Sequence, residues 1–575
     1  MNLEQAVAHL LHTDPQYKVA KETVRGIQYQ VFCNAPRNLR ALLEACAPAY
    51  GNADLLVYQD ERWDYNAFCN DVRRLADSMD KILAVRPGDR VAIAMRNYPE
   101  FCILVMAISA LGAIVVPLNA WWSGAELVSA MKDCGAKVVF ADKPRVERLK
   151  SCGEHTNVTV VGVRKANGDI CYTELRDAGD KTHWPTWQID PDDDFAILYS
   201  SGSTGMPKGV VQTHRNAISA VHSWSMSREM APLLDGAPNP TGRRPSLLVV
   251  TPLFHVTALH SNFLLGLATG SKISLLYNWD VEEAIRVIKA ESVTRFVGVP
   301  LQSKDLMERA VLLEEKLETL ESIGGGGAKR PASQVGELAK AFPDASISSG
   351  WGMTETNGLG ITIAGPDYLN HPEAAGRLTP PLQEVRIVDE GGANLVNGEI
   401  GELVVKSPAN MRCYHNQPEA TSKVLRDGWL YTGDLARMDG DGLIYIVDRK
   451  KNIIIRGGEN ISCLEVEGAM HRHPDVIEAC AFSIPDQRFD EVVGAAVYLR
   501  SDADLTEGQL VDFLSCHIAQ FKLPEKIWFW SQPLLRGATG KIDRRLLREE
   551  CLIIKDVGLP VAGLAGKSKE EIALQ

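Results

Sequence analysis

Helix-like and strand-like segments alternate along most of this chain, and this alternation constrains the fold more than any other feature. From Asp64 onward, the apolar patterns predict a helix over 65–83, a strand over 90–95, a helix over 99–112, a strand over 114–117, a helix over 124–134 and a strand over 137–141. Short Val- and Ile-rich strands separated by helices are typical of mainly parallel sheets. The predicted fold class is therefore α/β.

The same alternation resumes further along and then changes character twice. More strands are predicted at 195–199, 246–250, 272–276, 295–299 and 346–349. Residues 384–407 have the pattern of antiparallel strands joined by turns, which predicts a β-rich subdomain, and a small α+β unit follows residues 448–451. A chain of 575 residues exceeds one hydrophobic core. We therefore predict a large domain over 1–450 and a small domain over 451–575, with helical packing segments before residue 60.

Charge and cysteine usage exclude several classes of function. The formal net charge of −12 disfavours nucleic acid and anionic membranes as main partners, because such partners need a basic surface. The 12 cysteines form no CxxC pair, which disfavours a zinc site and a compact disulfide framework. Reduced thiols, an N-terminus unlike a signal peptide and an apolar stretch over 101–118 broken by Gly112 and Pro117 predict a cytoplasmic protein without a transmembrane segment.

The stretch YSSGSTGMPKGV, residues 199–210, has the composition of a loop that holds phosphate. Glycines allow successive backbone N–H groups to converge on one anion, five hydroxyl side chains including Tyr199 add donors, and Lys208 adds charge. A flexible Ser/Gly linker is the competing interpretation. The apolar strand before the stretch and Val210-Val211 directly after it favour the phosphate loop. The Walker pattern is absent, because no Gly-Lys-Ser/Thr follows the first glycine at the required spacing.

Further motifs place charged residues beside glycine-rich turns. They are GWGMTE ending at Glu355, YTGD ending at Asp434, DRKK at 448–451 and LRGATGK ending at Lys541. An anion-holding loop, a carboxylate for Mg²⁺, a carboxylate for ribose hydroxyls and a distant lysine together indicate nucleotide chemistry at a phosphate. With these motifs in this order, the chain resembles the acyl-adenylate-forming superfamily, in particular acyl-CoA synthetases of the fatty-acid–CoA ligase type, over nearly its whole length.

The resemblance implies a set of site residues, position by position. The catalytic residues it implies are Lys541, Glu355, Thr354 and His255, and Glu355 is also the implied Mg²⁺ ligand. The implied residues around ATP, the hinge and coenzyme A are Ser200, Ser201, Gly202, Ser203, Thr204, Gly205, Lys208, Gly326, Gly327, Trp351, Asp434, Arg449, Lys451, Gly457 and Gly458. Within that set Trp351 would stack on adenine, Asp434 would bind the ribose, and a rotation at Lys451 would bring the turn at 457–458 to the site in place of Lys541.

The resemblance also implies the reaction and leaves the substrate open. A carboxylic acid would be activated by ATP and Mg²⁺ as an acyl-adenylate and passed to coenzyme A. An α-amino acid is disfavoured, because His255 stands where an aspartate would be needed to pair with the ammonium group. The apolar residues after His255 favour a medium- or long-chain fatty acid, and an aryl or terpenoid acid also fits.

The acceptor and the assembly are less constrained than the reaction. A free-standing enzyme that loads a separate carrier protein competes with a coenzyme A ligase, and so does a noncatalytic binding relative. The retained Glu355, Asp434 and Lys541 disfavour the noncatalytic relative. A homodimer is one option for the oligomeric state, which the sequence leaves open. Trp121 and Trp122 are expected to be core residues, since aromatic pairs are more often buried than exposed.

Overall fold

The structure of the protein is a computed structural model that describes residues 1–152, 157–200, 207–234, 242–457, 459–537 and 540–557. The chain forms two compact units. The larger unit comprises residues 1–330, 334–385 and 404–431, and the smaller unit comprises residues 331–333, 386–403 and 432–575. The domain boundary at 450–451 that the sequence suggested stays a prediction.

Several α-helices begin at a residue whose side chain caps the first turn. In α3, for example, the Asp64 side chain accepts a hydrogen bond from the Ala67 N–H, and Ser123 and Glu126 form a reciprocal capping box in α5. The α-helices of the described residues are α1 (Leu3–Thr13), α2 (Leu39–Tyr50), α3 (Tyr65–Lys81), α4 (Pro99–Ala110), α5 (Gly124–Cys134), α6 (Lys143–Ser151), α7 (Tyr172–Asp177), α8 (His214–Met230), α9 (Leu265–Ala268), α10 (Val281–Ala290), α11 (Pro300–Leu312), α12 (Ala332–Ala341), α13 (Gly365–Asn370), α14 (Pro418–Val424), α15 (Cys463–Met470), α16 (Glu507–Ser515) and α17 (Arg544–Val557).

The strands are short, as expected for an α/β protein. In the described residues they are β1 (Val19–Val24), β2 (Ile27–Phe32), β3 (Asp54–Tyr58), β4 (Glu61–Asp64), β5 (Arg90–Ala94), β6 (Ile114–Pro117), β7 (Val138–Ala141), β8 (Thr159–Gly162), β9 (Ile170–Cys171), β10 (Asp194–Ser200), β11 (Lys208–Thr213), β12 (Ser246–Val249), β13 (Lys272–Leu275), β14 (Arg295–Gly298), β15 (Ser322–Gly326), β16 (Ser346–Trp351), β17 (Ile361–Ala364), β18 (Arg377–Leu378), β19 (Glu384–Val388), β20 (Gly401–Lys406), β21 (Cys413–Tyr414), β22 (Leu425–Arg426), β23 (Trp429–Met438), β24 (Ile444–Arg449), β25 (Ile453–Arg456), β26 (Glu459–Ser462), β27 (Val476–Asp486), β28 (Asp490–Leu499) and β29 (Lys526–Trp530).

Two large sheets organise the larger unit. One has the strand order β21-β11-β10-β6-β5-β7-β8-β9, and the other has the order β18-β17-β16-β15-β14-β12-β13-β3-β4. The strands from β10 through β6 to β9 pair in parallel, as do those from β16 through β14 to β3. The remaining strands of the two sheets, β11, β21, β17, β18 and β4, pair antiparallel. The predicted α/β class with mainly parallel sheets is therefore confirmed.

Smaller antiparallel sheets follow in the later part of the chain. Strands β19, β20, β23 and β22 form one of them, with β24 paired to β23, and this agrees with the antiparallel pattern predicted for 384–407. Strands β26, β25, β28 and β27 form another, and β29 pairs in parallel with β28. This last sheet packs with α15, α16 and α17 around two apolar clusters, one centred on Val493 and one on Phe482. The smaller unit is thus an α+β structure.

The apolar stretch at 101–118 lies in the core of the larger unit. Every residue from Phe101 to Ala110 in α4 is buried, as are Ile114–Pro117 in β6. This confirms that the stretch is a buried helix and strand. No helix in the described parts of the chain combines the length and the apolar character that a membrane span requires.

The N-terminal region differs from the expected helical packing segment. Between α1 and α2 the chain forms an antiparallel hairpin of β1 and β2, joined by Arg25 and Gly26, which both have positive φ. A two-residue loop with positive φ at both positions matches the right-handed twist of paired strands. The expectation of helices throughout residues 1–60 was therefore wrong for this hairpin and for β3.

Candidate active site

The candidate site residues of the larger unit lie where parallel strands end. In one sheet, Ser200 is the last residue of β10, and the segments after the neighbouring strands β6 and β5 contain Trp121 and Arg96. In the other sheet, Gly326 ends β15, Trp351 ends β16, and His255 follows β12. Ligands of open parallel sheets bind outside the carboxyl ends of the strands. The fold therefore collects these residues at the edges that usually bind ligands.

The predicted phosphate loop connects two paired strands. Ser200 and Lys208 are antiparallel partners at the ends of β10 and β11, so the loop between them is held at both ends. Ser201, Gly202, Ser203, Thr204 and Gly205 lie outside the described residues. The prediction that the Tyr199 hydroxyl is one of the phosphate donors was wrong. This hydroxyl donates to the Asp133 carboxylate at 2.6 Å and contacts the Ala130 carbonyl at 3.2 Å. Its phenol instead anchors β10 to α5.

Gly325, Gly326 and Gly327 differ in the reason why a glycine is needed at each position. A Cβ on Gly325 would lie 2.4 Å from the Arg330 guanidinium, so packing within the protein explains that glycine. A Cβ on Gly326 would have only the Gly350 carbonyl oxygen within 4 Å, at 3.9 Å, among the described residues. Gly327 has φ +80°, a conformation that favours glycine. The open space beside Gly326 fits a ligand that approaches the backbone of β15.

The position of Trp351 depends on Gly360, which directly precedes β17, the strand paired with β16. A Cβ on Gly360 would lie 2.3 Å from the Trp351 carbonyl oxygen and 2.8 Å from its indole ring. The ring therefore packs against the bare backbone of Gly360, and its surface remains partly accessible. This arrangement fixes the plane of an aromatic ring at the carboxyl end of β16, as stacking on a flat ligand requires.

Thr354 and Glu355 form a single helical turn, Thr354–Thr356, after β16. The Thr354 carbonyl accepts a hydrogen bond from the buried Gln212 side chain at 2.8 Å. Glu355 is 6% exposed, and its Oε1 accepts a hydrogen bond from the Tyr414 hydroxyl at 2.8 Å. The turn thus holds a carboxylate in a buried position, a costly arrangement unless the charge is compensated.

These residues fit a magnesium ion that arrives with a nucleotide. No group of three or more His, Cys, Asp or Glu side chains within the described residues could hold a metal ion by itself. Magnesium typically binds one or two carboxylates and completes its octahedron with phosphate oxygens and water. Glu355 offers one such carboxylate, so phosphate oxygens and water would supply the other ligands of the ion.

The segment containing His255 is fixed by Asn97. The Asn97 amide donates to the Thr251 carbonyl at 3.0 Å and accepts from the Leu253 N–H at 2.9 Å. Asn97 follows β5 of one sheet, while the segment follows β12 of the other, so this buried side chain ties the ends of two sheets together. Sequence reasoning missed Asn97, because its partners are more than 150 residues away in the chain.

The ring of Phe254 lies next to His255 and packs in turn against Trp121. The imidazole of His255 lies 4.5 Å from the Phe254 ring, and Phe254 meets Trp121 edge to face at 5.2 Å. Trp121 is 40% exposed, whereas Trp122 packs against a buried cluster. The expectation that both tryptophans are core residues was therefore wrong for Trp121.

The apolar residues after His255 form a π-helical segment, Thr257–Leu264, that continues into α9. Such segments are rare and occur often at functional sites. His260 within it is fully buried, and burial lowers the pKa of its imidazole to about 3. This histidine is therefore neutral near pH 7, and it packs edge to face on Phe195 at 5.7 Å.

The smaller unit brings Asp434 and Arg449 together. They are antiparallel partners on β23 and β24, and the Arg449 Nε lies 3.1 Å from the Asp434 Oδ1. Asp434 is 3% exposed, while Arg449 is exposed. Lys451 is exposed in the helical turn that joins β24 to β25. Gly457 directly follows the next strand, β25, with φ +57°, and Gly458 lies outside the described residues.

The Lys541 loop is tied to the sheet of the smaller unit by Arg536. The Arg536 guanidinium donates to the Gly540 carbonyl at 2.6 Å and to the buried Glu478 carboxylate at 2.6 Å. The Gly537 N–H donates to the Lys541 carbonyl at 2.8 Å. Both ends of the loop are therefore held, and Ala538 and Thr539 at its tip lie outside the described residues.

The ammonium group of Lys541 has an unusual environment. The Lys541 side chain is exposed by surface area, yet the surrounding protein partly desolvates its ammonium group. This desolvation, with the nearby Arg449 guanidinium, lowers the pKa of Lys541 to about 8, and the Asp434 carboxylate opposes both effects. Lys541, Arg449 and Asp434 therefore form one electrostatic group within the smaller unit.

Comparison with known proteins agrees with this arrangement. The AMP-binding enzyme family matches residues 43–415, and the AMP-binding enzyme C-terminal domain matches residues 465–541. The long-chain-fatty-acid–CoA ligase FadD13 of Mycobacterium tuberculosis is 30% identical over 84% of this chain and 92% of its own length. Feruloyl-CoA synthase of an Amycolatopsis species is 33% identical over 82% of this chain and 90% of its own length.

A solved structure extends the similarity to the fold. The o-succinylbenzoate CoA synthetase of Bacillus subtilis, solved with its acyl-adenylate intermediate, superposes with a TM-score of 0.75 at 27% identity, covering 88% of this chain and 97% of that one. The chain therefore belongs to the AMP-binding enzyme family, and within it to the acyl-CoA ligases. The relatives differ in the acid that their names give.

Proposed function

We propose that this chain is an ATP-dependent ligase that joins a hydrophobic carboxylic acid, a medium- or long-chain fatty acid, to coenzyme A. The observation that carries the proposal is the buried Glu355 carboxylate in the turn after β16, the strand that pairs with β15 so that Gly350 lies opposite Gly326. A buried carboxylate is suited to holding the magnesium ion of a metal–nucleotide complex. The CoA ligases among the relatives support the acceptor.

In the first step, a carboxylate oxygen of the acid attacks the α-phosphorus of ATP. The bond from that phosphorus to the bridging oxygen breaks, pyrophosphate leaves, and an acyl-adenylate forms. Bound magnesium would offset negative charge on the phosphate oxygens. In this proposal Glu355 holds the metal, Thr354 contacts the α-phosphate, and Trp351 stacks on the adenine. Lys541 stabilises the charge that develops on the non-bridging oxygens.

The residues around the β- and γ-phosphates and the ribose have separate roles. Lys208 and Ser200, with residues 201–205 of the same loop, bind the phosphates that leave as pyrophosphate. Asp434 accepts the ribose hydroxyls, and Arg449 reaches the ribose and phosphates. The Asp434–Arg449 ion pair at 3.1 Å supports this assignment, because it holds both side chains ready before the nucleotide binds.

In the second step, the thiol of coenzyme A attacks the acyl carbon and AMP leaves. The proposal includes a rotation of the small domain, residues 451–575, at Lys451, which withdraws Lys541 and brings the turn at Gly457 and Gly458 to the acyl-adenylate. Closures of this kind take place at a few residues that end a structural element. The position of Lys451 in the turn between β24 and β25 supports its assignment as the hinge.

The acyl group is assigned to the walls formed after β12. In this proposal His255 borders the acyl site, and the apolar composition of the segment after it favours an alkyl chain. A second candidate is an aryl acid. It is favoured by the aromatic rings of Phe254 and Trp121 beside His255, since aromatic rings pack well against one another in offset or edge-to-face geometry.

A panel of acids tests the proposed function. Purified protein is incubated with ATP, Mg²⁺, coenzyme A and one acid at a time, and pyrophosphate, AMP and acyl-CoA are measured. We expect pyrophosphate and AMP in equal amounts with octanoate or palmitate. Faster turnover of ferulate or benzoate would favour the second candidate, acyl transfer to an added carrier protein but not to coenzyme A would support the carrier-loading alternative, and ADP as product would contradict all three.

The lowered pKa of Lys541 predicts a pH dependence. The charged ammonium is lost as pH rises through about 8, so the kcat/KM of adenylation should fall above that pH. The measurement is initial pyrophosphate release at subsaturating ATP across the neutral and alkaline range. Lys541→Arg is the matched variant, because its guanidinium stays charged throughout. An unchanged alkaline decline in Lys541→Arg would show that another group titrates.

A further inference from the structure

Tyr414 lies between two residues of the proposed site that are far apart in the sequence. Its hydroxyl donates to the Glu355 carboxylate at 2.8 Å, and the Lys208 ammonium lies 4.9 Å from the centroid of its ring. Tyr414 is 7% exposed and Glu355 is 6% exposed, so little water competes for the hydrogen bond. All three residues belong to the larger unit. The phenol thus contacts both the carboxylate and the lysine of the phosphate loop.

The backbone around Tyr414 is fixed on several sides. Strand β21 pairs with β11 so that Tyr414 lies opposite Val210, two residues after Lys208. The Tyr414 N–H donates to the Thr421 hydroxyl at 2.9 Å, and the Met411 N–H donates to the Glu355 carbonyl at 2.7 Å. The same short segment therefore binds both the main chain and the side chain of Glu355. A rigid neighbour of this kind can fix the position of a ligand-binding group.

The hydrogen bond restricts a torsion that is otherwise loosely defined. The terminal torsion of a glutamate side chain is broad and roughly two-fold, so its rotamer preference alone does not fix which oxygen faces a ligand. The Tyr414 hydroxyl fixes Oε1 and with it the plane of the carboxylate. The Lys208 cation over the ring polarises the phenol toward stronger donation. Carboxylates that bind metals are commonly oriented by such a hydrogen bond.

We propose that Tyr414 is a positioning residue that orients the Glu355 carboxylate toward nucleotide-bound magnesium and fixes the position of this carboxylate relative to Lys208. The inference rests on the roles of Glu355 and Lys208 in the proposed function. It predicts that the hydroxyl of Tyr414 contributes to binding of the metal–nucleotide complex and not to binding of the nucleotide without metal.

Tyr414→Phe tests the proposal, because it keeps the ring, its packing and the contact with Lys208 and removes the hydroxyl. Binding of α,β-methylene-ATP, which cannot undergo the adenylation step, is measured by calorimetry with Mg²⁺ and separately with EDTA. We expect the affinity for the magnesium complex to fall by about ten- to a hundredfold, the range for removing a group that orients a metal ligand. The affinity in EDTA should stay unchanged. Equal losses in both conditions, or no loss in either, would refute the positioning role.

Two further variants separate this inference from structural damage and from the proposed function. Tyr65→Phe removes another buried hydroxyl of the larger unit, one that contacts the carbonyls of Gly266 and Ser271, and should leave the magnesium dependence of binding unchanged. Glu355→Gln should show a larger loss of magnesium-dependent affinity than Tyr414→Phe. If Glu355→Gln has no such effect, the assignment of Glu355 as metal ligand fails; if it does and Tyr414→Phe does not, the inference about Tyr414 fails.

Discussion

Replacing Lys541 by alanine is expected to lower the rate of acyl-adenylate formation by at least about a hundredfold, comparable to removing one preorganised group that stabilises transition-state charge. The proposal assigns the Lys541 ammonium to charge on the α-phosphate oxygens, and this ammonium interacts electrostatically with both Arg449 and Asp434. The loss should appear in kcat more than in the KM for ATP, because the contact strengthens as the charge develops.

The two half-reactions of the Lys541→Ala variant should respond differently. Acyl-adenylate formation is measured as pyrophosphate release, and acyl transfer is measured by supplying purified acyl-adenylate with coenzyme A. We expect transfer to remain near the rate of the unmodified enzyme, since the proposed rotation removes Lys541 from the site for that step. Lys526→Ala, which breaks an exposed salt bridge with Glu507 in the same unit, is the control and should leave both rates unchanged. Loss of both half-reactions in Lys541→Ala would contradict the assigned role.

Replacing Glu355 by glutamine is expected to lower adenylation by about a hundredfold to a thousandfold, as for other contacts directed at developing charge. Glutamine preserves the size of the side chain and still accepts the hydrogen bond from Tyr414, so the effect reports the lost charge. The concentration of Mg²⁺ needed for half-maximal rate should rise together with the loss of rate, because a neutral amide is a weaker magnesium ligand.

A magnesium titration at saturating ATP measures this second effect. Glu337→Gln is a matched control, since Glu337 is exposed on α12 of the larger unit. The melting temperature of each variant shows whether the buried substitution at Glu355 alters folding. An unchanged magnesium requirement in a folded Glu355→Gln variant would mean that the carboxylate does not bind the metal.

The α/β fold could be predicted because its strands are short, apolar and separated by capped helices. The predicted strand over 114–117 and the predicted helix over 124–134 coincide with β6 and α5, where Pro117, the Ser123–Glu126 capping box and Gly135 mark the ends. Local chemistry specifies those boundaries, so no knowledge of distant contacts is needed. The hairpin of β1 and β2 escaped prediction, since most of β1 is exposed and its turn is Arg-Gly instead of Asn-Gly or Asp-Gly.

The candidate site was predicted less completely than the fold. Motifs located Glu355, Asp434 and Lys541, because glycine-rich turns with one charged residue are unusual in composition. Tyr414 and Asn97 carry no such local signal. The partner of Tyr414 lies 59 residues away, and the partners of Asn97 lie about 150 residues away, so only the paired strands reveal them. The direction of the Tyr199 hydroxyl toward α5 depends in the same way on the packing of separate elements.

The electrostatic contacts of Lys541 with Asp434 and Arg449 affect how chimeric enzymes should be built from members of this family. Asp434 and Arg449 precede residue 450 and Lys541 follows it, so a junction at 450 would join the lysine of one parent to the ion pair of another. Glu402 accepts hydrogen bonds from the Gly433 N–H and the Lys450 ammonium at 3.0 Å each, which links residues 386–403 to the same group. A graft of 386–403 together with 432–575 would transfer the lysine with the charges around it, and the alkaline limit of the donor enzyme would be inherited with the graft.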